Sequence, residues 1–196
     1  MNYRVTVIIP ALLACTLSLR SADSVPDHAG HKPASGLKKE LIADITEADF
    51  LKLGSVPKTV RITLVSALTA NNGGMNFNGY AKGTAAYVIP LGWKVEVTFI
   101  NPSPVPHSVL VVEREKIRKP QLGEPAFPGA GVPNAALGIS MKKVNFTFTA
   151  SQVGEYAFAC GFPIHALNGH WAALEISAEA KVPSVKLGDA APREAH

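Results

Sequence analysis

Cysteine is nearly absent. The chain has 196 residues and only two cysteines, Cys15 and Cys160, and Cys15 lies within an apolar N-terminal leader. An intramolecular disulfide framework is therefore excluded for the body of the protein, as are the paired cysteines of structural zinc sites. Charge of one sign is also lacking. The formal net charge is +4, with no sustained basic stripe and no glycine-rich phosphate loop, which argues against nucleic-acid and nucleotide binding. Methionine is scarce at three and histidine at six, too few for a Met-rich metal-delivery surface or for several metal centres. No long helical periodicity appears, and no apolar run is a comfortable membrane span.

The N-terminus "MNYRVTVIIPALLACTLSLRSADS" pairs a short positive stretch at Arg4 with an apolar run from Val5 to Leu19. Residues 1–22 read as a signal peptide or an N-terminal anchor. "LLAC", ending at Cys15, loosely resembles a lipoprotein cleavage box. Cleavage, lipidation and an uncleaved anchor stay open. Each predicts a periplasmic or other extracytoplasmic domain, secreted or membrane-anchored. Residues 23–45 are polar and predict a flexible tether carrying His28 and His31. "ITEADFLKL" (45–53) predicts one short helix with Thr46 as N-cap and Asp49 three residues on. The tail, 179–196, is rich in Ala, Pro and charge and is expected to be loosely ordered.

Between them, at 46–178, the expected domain is all-β. "VRITLVSALT", "GTAAYVIP", "WKVEVTFIN", "HSVLVVER", "KVNFTFT", "GEYAFAC" and "HWAALEIS" are short, rich in β-branched and aromatic residues, and punctuated by Gly, Pro and Asn. Val95, Val97 and Phe99 alternate with Lys94, Glu96 and Thr98. Phe146 and Phe148 share a face, as do Tyr156, Phe158 and Cys160. Such strands predict an antiparallel β-sandwich. The proline- and glycine-rich span from Lys116 to Ser140 interrupts the rhythm and predicts a long, ordered, inserted loop.

Chemistry concentrates in "ACGFPIHALNGHWAALEI" (159–176), where Cys160, His165 and His170 are spaced by five. A lone buried Cys is ordinarily a small hydrophobe, and a lone loop His a surface residue. His107, in "NPSPVPHSVLVV" at the junction of a Pro-rich loop and an apolar strand, changes that balance. One His from an upstream strand end, then Cys and His from a later loop, is the ligand set of a type 1 copper site. Zinc accepts the same donors. An exported β-sandwich favours copper.

Three stretches resemble the cupredoxins, and among them the sulfocyanin and rusticyanin branch: "MNFNGYAKG" (75–83), "VTFINPSPVPHSVLVV" (97–112) and "YAFACGFPIHALNGHW" (156–171). The resemblance implies a cupredoxin-like Greek-key β-sandwich with one copper per chain, held by His107, Cys160 and His165. His170 stands where that branch places its axial Met. The alternatives are that His170 ligates, that it swings away, or that Met141 supplies the sulfur. Ser108 is placed to hydrogen-bond the Cys loop, Asn76 and Asn78 to tie strands beneath the site, and Phe162, Pro163, Pro106 and Ile164 to shield it or rim it. The implied function is an exported, monomeric one-electron carrier serving redox protein partners, membrane respiratory complexes among them. A copper enzyme, a site for a small molecule such as nitric oxide, and a copper delivery protein are the alternatives. A binuclear copper centre is excluded, because it needs two cysteines in the loop.

Overall fold

The computed structural model describes residues 39–196. The leader, most of the tether, His28 and His31 lie outside these residues. Ten strands follow in order: β1 (Lys52–Leu53), β2 (Thr59–Val65), β3 (Ala85–Pro90), β4 (Lys94–Asn101), β5 (Leu110–Glu113), β6 (Lys142–Thr149), β7 (Gly154–Ala159), β8 (Trp171–Ser177), β9 (Ser184–Leu187) and β10 (Arg193–Glu194). They form two sheets, ordered β1-β2-β4-β6 and β10-β9-β3-β8-β7-β5. The chain crosses between sheets from β4 to β5, back to β6 and over again to β7, as a Greek-key sandwich requires.

The alternating residues meet between the sheets. Val95, Val97, Phe99 and Phe148 are buried against Tyr87, Phe158, Leu174 and Ile176. Aromatic edges close the middle, with Tyr87 and Phe158 T-shaped at 5.6 Å between centroids.

The sheets are mixed, not antiparallel. β2 pairs parallel with β4, and β3 parallel with β8. β2 and β4 are joined through β3 of the other sheet, and β3 and β8 are separated by four intervening strands, so neither pair is a hairpin.

Two further expectations are corrected. Residues 45–53 do not form one helix. A 3₁₀ turn over Glu47–Phe50 gives way to β1, because Leu51 is buried and Lys52–Leu53 pair with Arg61 and Val60. Nor is 179–196 loose. β9 pairs with β3 and sends Val185 and Leu187 into the core. β10 pairs with β9, Arg193 donates to the carbonyls of Leu51 and Glu47, and the Leu53 amide donates to the His196 carbonyl. The fold therefore extends past residue 178.

The inserted span is ordered and runs beside β5. The Ala126 amide donates to Val111 O, Val111 to Ala130 O, and Val132 to Val109 O. It roofs the outer face of β5 and β7, where Leu110, Val112, Leu122, Ala157, Ala159 and Ala166 form a second buried cluster. β7 is consequently buried on both faces, and Cys160 follows directly from it.

Candidate metal centre

His107, Cys160, His165 and His170 come together at one end of the sandwich. Each offers a donor atom, and these atoms lie within 4.8 Å of one another with all four residues buried. His107 is held by reciprocal backbone bonds with Ile139 of the inserted span, His107 N to Ile139 O at 3.1 Å and Ile139 N to His107 O at 2.7 Å. Asn101 at the end of β4 binds the carbonyls of Val105 and Ile139 from beneath. The insertion thus clamps the first histidine.

The later loop is cinched by its own backbone. The Cys160 amide donates to His170 O at 3.0 Å, and the His170 amide to His165 O at 2.9 Å. This closure returns the chain to the sheet at β8 and brings a fourth side chain back under the first three. Ile164 adopts a positive φ of 62° within it, a tight turn carrying a β-branched residue.

The side-chain distances describe a triangle. His107 Nδ1 and His165 Nδ1 are 3.3 Å apart, and Cys160 Sγ lies 3.6 Å from His165 Nδ1. Imidazole and thiolate bonds of about 2.0 and 2.3 Å spread in a trigonal plane give edges of about 3.5 and 3.7 Å. The two edges that meet at His165 are therefore the lengths that one ion between the donors requires, and the third lies within 4.8 Å. His170 packs above His107 at 4.8 Å between ring centroids and against Phe77 at 4.4 Å. Its Nε2 lies 3.2 Å from Ser66 Oγ.

Burial pushes the Cys160 thiol up to about 11, opposed by backbone N–H groups of Ser108 and Phe162 and by the Ser108 hydroxyl. A thiolate in this pocket needs a cation beside it. Two imidazoles at the spacing of metal ligands supply the place for one.

Ser108 meets its expectation. Its Oγ accepts the Gly161 amide at 2.8 Å, and its own amide donates to Cys160 Sγ at 3.4 Å. Asn78 ties β2 to the following loop, accepting from Val65 N at 2.7 Å and donating to Thr63 O at 2.8 Å. Asn76 holds the loop itself, through the Thr69 and Asn71 carbonyls and the Gly79 amide. Phe162 packs on the His165 ring at 4.7 Å. Phe162, Pro163 and Pro106 are half-buried and Ile164 is exposed. Met141 is 36% exposed, whereas His170 is fully buried within the cluster. The residue that sequence reasoning missed is Ser66. Its signal was a hydroxyl where the inward alternation Val60, Ile62, Leu64 calls for a fourth apolar side chain.

Residues 46–186 match the family model of the sulfocyanin (SoxE) domain. The chain belongs to the sulfocyanin family. It is 31% identical over 135 residues to the sulfocyanin of Sulfolobus acidocaldarius, covering 64% of this chain and 67% of that one. Among solved structures it is similar to reduced rusticyanin, at 22% identity and a TM-score of 0.45 over 67% of this chain and 88% of that one. It is also similar to a dithionite-reduced auracyanin from Roseiflexus castenholzii, at 20% identity and a TM-score of 0.37 over 60% and 96%. The cofactor of the chain is one copper, and the four clustered residues offer donors of the kind it takes.

Proposed function

We propose that this protein is an extracytoplasmic carrier of single electrons, in which His107, Cys160, His165 and His170 would hold the copper. The spacing of His107, Cys160 and His165 carries the reading. Copper, when bound, supplies a one-electron Cu(II)/Cu(I) couple. The chain's part is to keep its ligands still and dry. Ile139 and Asn101 fix the loop of His107, Ser108 pins Gly161 beside the thiolate, and the His165–His170 backbone bond fixes the loop's return. A pocket so braced changes little between oxidation states, which keeps the reorganisation cost of electron transfer low.

His165, 7% exposed, is the ligand nearest solvent. Exposed Ile164 and Leu167 stand beside it, with Phe162 against its ring. This apolar rim suits brief docking of a redox protein partner, and the proposed site gives such a partner a short route to the metal. In this reading the carrier is a monomer without oxidase or nitrite reductase turnover of its own.

The test is the absorption and EPR spectrum of the copper-loaded protein beside Cys160→Ser. Wild type should bind one copper with an intense thiolate charge-transfer band, and Cys160→Ser should lose the band while keeping the fold. Equal colour in both proteins would remove the assignment. Steady-state turnover with one copper per chain would favour an enzyme instead.

A further inference from the structure

We propose that Ser66 is a positioning residue for the metal, acting through His170. Its hydroxyl oxygen accepts the Nε2–H of His170 and so presents the Nδ1 lone pair of that ring to the copper. The inference deepens the copper reading and rests on it.

Four observations carry it. Ser66 Oγ and His170 Nε2 are 3.2 Å apart, and both residues are fully buried. Ser66 sits one step beyond β2, where the inward positions Val60, Ile62 and Leu64 are all buried and apolar. The hydroxyl at the next inward position meets the imidazole of His170. The Ser66 backbone is itself fixed, its amide donating to Ile100 O at 2.9 Å and the residue bridging Phe77. Phe77 in turn lies against the His170 ring at 4.4 Å. One short segment therefore sets both the plane of the ring and the atom facing its Nε2.

The chemistry follows from the two ring nitrogens. A neutral imidazole carries its proton on one nitrogen and its lone pair on the other, and the hydrogen bond made by the first decides which is which. An acceptor on the N–H side also raises the donor strength of the opposite nitrogen. A methionine at position 170 has no use for such an acceptor. Ser66 is thus the companion of the histidine substitution, matched to an imidazole in the axial place.

The experiment has two arms. In the first, ¹⁵N–¹H NMR of the metal-free and Cu(I)-loaded protein reads the tautomer of His170. The expected result is an Nε2–H in both, exchanging slowly with solvent. An Nδ1–H tautomer overturns the proposal. In the second, Ser66→Ala and Ser66→Thr are made in wild type and in His170→Met, and the Cu(II) EPR spectrum and reduction potential are measured. Weakening the axial donor destabilises Cu(II), so Ser66→Ala should raise the Cu(I) over Cu(II) preference up to about tenfold, a shift of about 59 mV for one electron. Ser66→Thr, which keeps the hydroxyl, should restore the wild-type signals. In the His170→Met background neither change should move the potential. An equal shift in both backgrounds, or no shift in either, refutes the positioning role. If wild type takes up no copper, the function reading falls, while the metal-free tautomer still decides the contact with Ser66.

Discussion

Ser108→Ala is the sharpest test of how the ligand loop is held. The side chain accepts one bond, from the Gly161 amide at 2.8 Å, and stands 3.8 Å from Cys160 Sγ. Gly161 is buried, with Leu110 and Ala135 so close that a Cβ there would meet them at 2.9 and 2.8 Å. Deleting an acceptor in such a place costs the desolvation penalty of the stranded donor, about 1–3 kcal/mol. For a domain of this size that is roughly 2–4 °C per kcal/mol, hence a fall in Tm of about 2–12 °C. The backbone bond from Ser108 N to Cys160 Sγ at 3.4 Å is untouched, so the charge-transfer colour should survive. Calorimetry of the metal-free protein gives the first number and the absorption spectrum the second. A variant that melts within about 1 °C of wild type, against an expected loss of at least 1 kcal/mol, would refute the account of Gly161 as a desolvated donor.

Other expectations follow from the same coordinates. His170→Met should give a bluer protein with a potential raised by at least one decade of Cu(I) preference, about 59 mV, read by redox titration; identical colour and potential would take His170 off the metal. Gly83→Ala should destabilise by about 2–4 kcal/mol in urea titration, because Gly83 has a φ of +75° and a Cβ there would sit 2.2 Å from the Trp171 ring; a loss under about 1 kcal/mol would mean that Trp171 swings aside at little cost. Asp49 is held at about 2, below its ordinary 3.8, chiefly by Lys52 and then by the Thr46 amide and hydroxyl. A carboxylate lowered in this way stabilises the fold above pH 4 and loses that contribution as pH falls toward 2. After solvent screening its worth is about 1 kcal/mol, so wild type should exceed Asp49→Asn by that much at pH 6, and the gap should close near pH 2.

The four residues that cluster in the fold were legible because their signal is local. Cys160, His165 and His170 lie on one loop at fixed spacing, and His107 is marked by the proline-rich approach to an apolar strand. Alternation in β4 and β6 gave the core face for the same reason, since a period of two is written along a single strand. What could not be read is non-local. Whether β2 runs parallel to β4 depends on which side the connection returns, and no residue in either strand records that. The tail misled because "SVKL" is too short to show a period, and only pairing with β3 makes it a strand. Ser66 lies 104 residues from its partner, and its one local mark, a hydroxyl in an apolar alternation, does not say which residue it meets.

The start of the sandwich at β1 and the last residues of the chain gather at the same pole. β1 pairs with the start of β2, Arg193 bonds back to Leu51 and Glu47, and His196 receives the Leu53 amide. Ser66 and the ligand cluster stand beyond the other end of β2, six strand steps away, or roughly 20 Å. A handle attached after His196, whether a fused protein or a linker to an electrode, would therefore grip the molecule by its base. The face with Ile164 and Leu167 would point outward, free to meet whatever donor or acceptor is offered. The strands that tie the tail to the base are what make this protein wireable without blocking its contact face.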